Sequence, residues 1–231
     1  MTLPVRLLLA ISCLGPLQSA AATDIDSLLR ALARPLPAET VFVEQRGSEL
    51  LDAPLLLRGR LSHPRRGVLV REVQSPYPET TTVADGRVEI VRDGERRRRF
   101  SLRNAPELAA LLAGFEGMVT GDRALLERHY ALTLERDGER WLLTLTPRDP
   151  RSARRVQSLR LSGRERELLC TEVRQADGGG SRMLVGPAAT RAADRADAGD
   201  VIDPDLIDPD LIDPDVIDPN GVDDIFADAC R

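Results

Sequence analysis

The chain has 231 residues and a formal net charge of −5, and arginine supplies every one of its 32 basic side chains. That length suits one or two domains. An aromatic content of only 3% offers no stacking platform for a nucleic acid, so we expect no nucleic-acid partner. The charge is uneven: residues 188–231 hold 13 Asp and 3 Arg, a net of −10, so residues 1–187 carry +5.

The N-terminus has the pattern of an export signal. An apolar run over residues 7–17 follows Arg6, and the small residues 19–22 form an A-x-A cleavage pattern. The run is too short to span a membrane. We therefore predict that residues 1–22 are a removed signal peptide and that the mature chain is periplasmic. Lipidation of Cys13 is the alternative, although Ala10 stands where a lipoprotein cleavage box usually has Leu.

A short amphipathic helix is predicted next, because apolar residues recur at helical spacing and Pro35 ends the pattern. Its apolar residues are Ile25, Leu28, Leu29 and Leu32. Such a helix either packs on a sheet or forms a lid over a cavity.

From residue 41 onward the apolar residues recur at every second position, and Gly, Pro and Asp-Gly separate the runs. This period is typical of antiparallel strands with one apolar face. We predict strands near residues 41–46, 54–62, 67–74, 79–84, 87–92 and 96–102.

The period then changes to that of a helix over residues 106–118, followed by a shorter helix at 123–128. Strands resume near residues 130–134, 141–146, 156–161, 168–173 and 182–185. Many short strands with two or three helices predict one mainly β (α+β) domain over residues 23–187, built as a large curved sheet or an incomplete barrel.

The acidic tail contains a five-residue repeat over residues 201–220, with Pro in every copy. Proline disfavours both helix and strand, and like charges repel, so we expect residues 188–231 to be disordered. Deleting them should then leave the melting temperature nearly unchanged. Specific calcium binding is disfavoured because the repeat lacks the glycines of a calcium loop. Cys170 and Cys230 are interpreted as unpaired, although export would permit a disulfide.

No catalytic set is evident. Neither His63 nor His129 has a metal-binding spacing, and the sequence contains no nucleotide-binding or nucleophile motif. We predict no enzyme activity, no metal and no cofactor. The run from Arg96 to Arg99 could contact an anion, but a strand with solvated arginines is the preferred interpretation.

Motifs spread along residues 23–187 together resemble the LolA-like family of periplasmic lipoprotein carriers, in particular its shorter LolA-related branch. They are Phe42-Val43-Glu44-Gln45-Arg46, Gly59-x-Leu61-x-x-Pro64, Pro76, Val83-x-Asp85-Gly86-x-Val88, Gly121-Asp122 and Trp141-x-Leu143-x-Leu145-x-Pro147. The resemblance implies an unclosed antiparallel β half-barrel with a helical lid or plug.

The resemblance further implies a carrier or chaperone that shields acyl chains of a lipoprotein, or another lipid-like cargo, for delivery towards the outer membrane. An inner-membrane exporter and an outer-membrane acceptor would be its partners, and we expect a monomer. The expected cleft residues are Leu55, Leu57, Leu61, Val68, Val70, Val88, Ile90, Trp141, Leu143 and Leu145. The expected lid residues are Leu28, Leu32, Leu108, Leu111, Leu112 and Phe115. His63 occupies the position where carriers of this family often have a lid-locking Arg.

Two other functions stay open at this point. The same half-barrel could be a lipid-sensing regulatory protein, which a second domain after Val185 would favour. It could also be an outer-membrane lipoprotein receptor, which lipidation of Cys13 would favour.

Overall fold

A computed structural model describes residues 19–47, 54–199 and 222–231. The described strands form one antiparallel sheet in the order β6-β5-β4-β3-β2-β1-β11-β10-β9-β8-β7, so β6 and β7 are its two edges and the sheet does not close. The predicted mainly β, unclosed half-barrel with helices is confirmed. The strands are β1 Ala38–Gly47, β2 Leu55–Arg65, β3 Val68–Ser75, β4 Glu79–Ala84, β5 Arg87–Arg92, β6 Arg96–Ser101, β7 Tyr130–Asp137, β8 Arg140–Pro147, β9 Val156–Arg164, β10 Glu167–Gln175 and β11 Gly180–Val185.

Tight hairpin turns fix the register of the strands after β3. The β4–β5 turn uses Asp85 and Gly86 with φ of 51° and 70°. Left-handed conformations at both positions are what a two-residue hairpin with the right-handed strand twist requires, and Asp-Gly tolerates them best. Val83 is therefore opposite Val88, and Val83, Val88 and Ile90 share one face of the sheet.

Six α-helices accompany the sheet in the described residues, and they divide between its two faces. They are α1 Ser19–Leu32, α2 Pro106–Thr120, α3 Arg123–His129, α4 Pro150–Ala153, α5 Gly186–Gly199 and α6 Val222–Ala229. We call the face with Phe42, Leu57 and Trp141 the inner face, and α1 and α2 cover part of it. The opposite, outer face carries Val43, Cys170 and Leu184 beneath α5 and α6. None of the described helices is long and apolar enough to cross a membrane.

The predicted disorder of residues 188–231 is wrong for both ends of that segment. Helix α5 places Ala188, Ala189 and Ala192 fully against the outer face, and α6 buries Phe226 in the same cluster. Alanine at helical spacing lets a helix lie close to a sheet, although each residue gives only a weak apolar signal in the sequence. The repeats at residues 201–220 lie outside the described residues, as does most of the predicted signal peptide.

The prediction that the two cysteines are unpaired is also wrong. Cys170 on β10 and Cys230 after α6 form a disulfide, with their Cα atoms 5.2 Å apart. Two polar contacts support the same arrangement: the Ser162 hydroxyl donates to the Ala229 carbonyl at 2.7 Å, and Arg140 pairs with Asp228 at 2.6 Å. The Arg140 guanidinium also lowers the pKa of Asp228. The chain thus returns to its own sheet after the repeats.

Candidate functional site

The inner face is densely filled where α1 and α2 cover strands β8 and β9. Trp141, Leu143 and Leu145 are at most 1% exposed and belong to one cluster with the apolar residues of α1. Three expected cleft residues therefore lie together, but as closely packed core. Leu28 and Leu32 of α1, expected in a lid, are also buried in this cluster.

A second inner-face cluster lies on the other half of the sheet and is joined to the first by Phe115 of α2 and Leu168. Leu57 and Leu61 are buried in it, as the sequence predicts for a shared strand face, and Leu55 packs at its margin. Phe42, Val73 and Val185 are the other buried residues of the cluster. They were not among the predicted cleft residues, although the alternation of apolar residues in β1, β3 and β11 could have indicated them.

The inner face continues to the β6 edge as an apolar strip made of Val83, Val88, Ile90 and Phe100, which we call the rim strip. Register places all four on one face, because Val83 pairs with Val88, which in turn pairs with Phe100. Val83 and Val88 are buried, whereas Ile90 and Phe100 are half-buried. The expected cleft residues Val88 and Ile90 are therefore on the inner face, close to the open side of the sheet.

Val70 does not join the other expected cleft residues. It pairs with Ser62, so its side chain is on the outer face, and Leu69, the partner of Val83, takes the inner position. Val68 has the same strand parity as Val70 and is buried at the start of β3. A register shift between Ser62 and Arg65 explains why Val70 is not on the inner face, where the sequence predicts it. A one-residue slip in the pairing of two strands moves every side chain to the opposite face of the sheet.

Helix α2 is the least firmly packed part of the inner-face cover. Leu108, Leu111, Leu112 and Phe115, all expected in the lid, are half-buried rather than buried. Glu107 and Glu116 supply the only charges in its 15 residues, so the helix is apolar on nearly every side. Such a helix gains from any apolar surface it can cover, whether that surface is sheet or ligand.

A polar contact connects α2 with the turn between β2 and β3. The Gly67 N–H donates to the Glu116 carboxylate at 3.1 Å. His63 lies on β2 beside this turn and is only 3% exposed, and its Nδ1 has no hydrogen-bond partner among the described residues. Burial lowers the pKa of His63, the Glu116 carboxylate acts in the opposite direction, and Arg66 adds to the lowering.

Two arginines on the inner face are already neutralised. Arg71 forms an ion pair with the buried Glu44 and stacks on the Phe42 ring, 4.7 Å from its centroid. Arg92 pairs with Glu79 at 2.6 Å and stacks on Tyr77 at 4.3 Å. These ion pairs were not predictable from the sequence, because the two partners of each pair are on different strands.

A cavity of about 430 Å³ lies elsewhere, at the ends of β1, β10 and β11, and its lining includes Gln45, Glu172 and Arg182. Groups of His, Cys, Asp and Glu able to hold a metal ion are absent from the described residues.

The sequence profile of the outer membrane lipoprotein carrier protein LolA-like family matches residues 17–203, which is most of the chain. The chain belongs to the LolA-like family. The match extends past residue 187 and so includes α5, which the sequence interpretation had placed in the tail. No curated protein matches the chain.

Solved structures with a similar arrangement are distant in sequence. The LolA superfamily protein NE2245 from Nitrosomonas europaea is 12% identical, with 73% of this chain and 92% of that chain covered and a TM-score of 0.40. LprF from Mycobacterium bovis is 9% identical, with 71% and 92% covered and a TM-score of 0.33. The Pseudomonas aeruginosa MucA/MucB complex gives 19% identity and a TM-score of 0.36, and only 55% of that chain is covered.

Within this LolA-like domain, the inner face divides into two parts. The part under α1 is filled core. The part that carries strands β3–β6 keeps half-buried apolar side chains such as Leu69 and Ile90, and α2, which covers part of the same face, keeps half-buried leucines such as Leu112. We therefore take the second part as the candidate ligand cleft.

Proposed function

We propose that the protein binds acyl chains in the cleft between α2 and strands β3–β6 and carries them across the periplasm. The observation that carries this proposal is the state of α2, an almost wholly apolar helix whose leucines and Phe115 are half-buried, on the inner face that also carries the half-buried Leu69 and Ile90. Membership of a family named for an outer membrane lipoprotein carrier supports the same function.

An apolar cleft is sufficient to carry an acyl chain through water, and no catalytic group is needed. Each methylene removed from water contributes about 0.8 kcal/mol, so a lipid does not cross an aqueous space without cover. A carrier needs an apolar cleft and a cover that exchanges its contacts for those of the ligand. Because α2 is apolar on nearly every side, it can lie against the sheet or against a bound chain.

In this proposal the protein is a binder rather than an enzyme, and α2 is the movable lid whereas α1 is a fixed plug. The buried Leu28 and Leu29 tie α1 to the core, so displacing α1 would expose far more apolar surface than displacing α2. The cargo would be received from an inner-membrane exporter and passed to an outer-membrane acceptor.

Ligand capture tests the proposal directly. Protein purified from a lipid-containing host is analysed by native mass spectrometry, and the delipidated protein is titrated with a fluorescent fatty acid. We expect a bound lipid mass or saturable uptake of the probe. A protein that arrives empty and also fails to take up the probe would contradict the proposal.

Adjacent residues on β3 provide a matched pair of variants that locates the binding site. Leu69 and Val70 are both half-buried, but Leu69 is on the inner face and Val70 on the outer face. We expect Leu69→Gln to weaken binding of the fluorescent fatty acid roughly tenfold, which is the loss of about 1.4 kcal/mol of apolar contact. Val70→Gln should leave binding unchanged. Equal losses in the two variants would place the ligand outside the cleft.

A further inference from the structure

The β6 edge of the inner face ends in a cation with no counter-charge. Arg98 is directly opposite Ile90 across the β5–β6 pair, so its side chain begins on the inner face beside the rim strip. It is exposed, and within the part of the chain that the structure describes no acidic side chain pairs with it.

The neighbouring arginines differ in both orientation and pairing. Arg97 and Arg99 are on the outer face and both bond to Glu89, at 2.9 Å and 3.1 Å. On the inner face, the guanidinium groups of Arg71 and Arg92 are held by Glu44 and Glu79. Among the described side chains of β3–β6, Arg98 is thus an inner-face arginine that no carboxylate neutralises, and it can meet an anion from outside.

The position of Arg98 relative to the apolar surface suggests what that anion belongs to. Strands are about 4.8 Å apart, so the inner face from β3 to β6 offers roughly 14 Å of surface. Leu69, Val83 and Val88 follow one another across it in register, and Phe100 continues the row on β6. A chain lying across this surface ends at Phe100 on the open edge, and Arg98 lies two residues from Phe100 on the same face of β6. An apolar track that ends in an unpaired cation complements an amphiphile with an anionic head.

We propose that Arg98 is a headgroup-binding residue and that the cargo is an amphiphile whose head carries a carboxylate or phosphate group. This inference rests on the proposed function, because it requires that the acyl chain lie in the cleft. A guanidinium group binds either anion through two parallel hydrogen bonds. An uncharged lipid ester would gain nothing from this residue.

Three probes with the same twelve-carbon chain separate the head from the tail: dodecanoate, dodecyl phosphate and dodecan-1-ol, each used below its micelle concentration. Their affinities are measured by displacement of the fluorescent fatty acid. We expect the two anions to bind roughly 1.5- to fivefold more tightly than the alcohol, which is the range of one exposed ion pair, with the preference reduced at high salt. A larger preference for the phosphate would indicate a phospholipid-type head, and an equal preference a fatty-acid-type head.

Two variants on the same strand test the residue. Arg98→Gln should remove the preference for anions and leave the affinity for dodecan-1-ol unchanged. Arg99→Gln, which changes the same charge on the outer face, should keep the preference, and the melting temperatures of both variants verify that they are folded. Equal binding of all three probes by the native protein, or the same effect of both substitutions, would overturn the assignment and leave Arg98 as a charge that only protects a sheet edge. If none of the probes binds the native protein, the proposed function itself fails.

Discussion

His63 is a residue whose environment has a measurable consequence for pH dependence. Burial is the main cause of its lowered pKa, opposed by the Glu116 carboxylate and reinforced by Arg66. A histidine whose pKa is lower in the folded state than its ordinary value of 6.5 takes up its proton more readily when unfolded. The neutral, buried form of His63 therefore makes its full contribution to the free energy of unfolding above pH 6.5, and this contribution decreases as the pH falls below that value.

We expect the native protein to lose stability relative to His63→Gln as the pH decreases from 7 to 5, by at most about 1.4 kcal/mol per pH unit. Urea unfolding at several pH values measures the difference. His129→Gln, at the partly exposed end of α3, is the control and should keep the native slope. Asp149 and Asp228 have lowered pKa values, so the stability they add is lost only near and below their ordinary pKa of 3.8. Parallel curves for the native protein and His63→Gln would contradict this account.

The faces of individual residues were predictable from the sequence only within a strand. Leu57 and Leu61 share a face because two positions, or a multiple of two, always separate side chains on one side of a strand. The same alternation does not continue from β2 into β3, and Val70 lies on the outer face. The reason is the register shift between Ser62 and Arg65, which depends on the turn and on pairing across strands. The tight Asp-Gly turn between β4 and β5 keeps the alternation of faces in step across these two strands, so Val88 and Ile90 lie on the inner face.

At the scale of elements, α6 is held to the outer face by both packing and a covalent link. Phe226 is fully buried and Val222 and Ala229 nearly so, and the disulfide closes a segment of 60 residues. The replacement of both cysteines, Cys170→Ala with Cys230→Ala, should lower the free energy of unfolding by about 2–4 kcal/mol.

Thermal unfolding with and without a reductant measures this effect. The native protein should lose melting temperature under reducing conditions, whereas the double variant should be insensitive to the reductant. Asp224→Ala, on the exposed side of α6, is the control and should change the free energy of unfolding by less than about 0.5 kcal/mol. A double variant as stable as the native protein would show that the disulfide contributes nothing to the free energy of unfolding.

The sequence did not predict α5 and α6 because the evidence for each is tertiary. Their acidic residues point away from the sheet, so a composition count indicates disorder, whereas the buried side of α5 is built from alanines that gain stability only when a sheet lies against them. Cys170 and Cys230 could be paired only once their Cα atoms were known to be close. Strands and inner-face helices were predictable because large apolar residues repeat in them with a clear period.

At the scale of the whole molecule, the two faces of the sheet should respond differently to a ligand. The outer face is closed by α5, α6 and the disulfide, which fix three consecutive strands, β1, β11 and β10. On the inner face, the largely half-buried α2 packs against the sheet through Phe115 and contacts the β2–β3 turn through the bond from Gly67 to Glu116. We therefore expect a binding event in the cleft to displace α2 and to leave the outer face intact.

Hydrogen–deuterium exchange on the full chain, with and without dodecanoate, measures this difference. We expect the exchange protection of residues 106–120 to change on ligand binding, while residues 186–196 and 222–229 keep theirs, because their backbone hydrogen bonds and packing are remote from the cleft. Glu116→Ala removes the acceptor for Gly67 and should increase exchange in residues 106–120 of the ligand-free protein. Val70→Gln, which changes the outer face of the same part of the sheet, should not. Protection changes of equal size in α2 and α5 would mean that the ligand loosens the whole sheet, and α2 would then not be a lid.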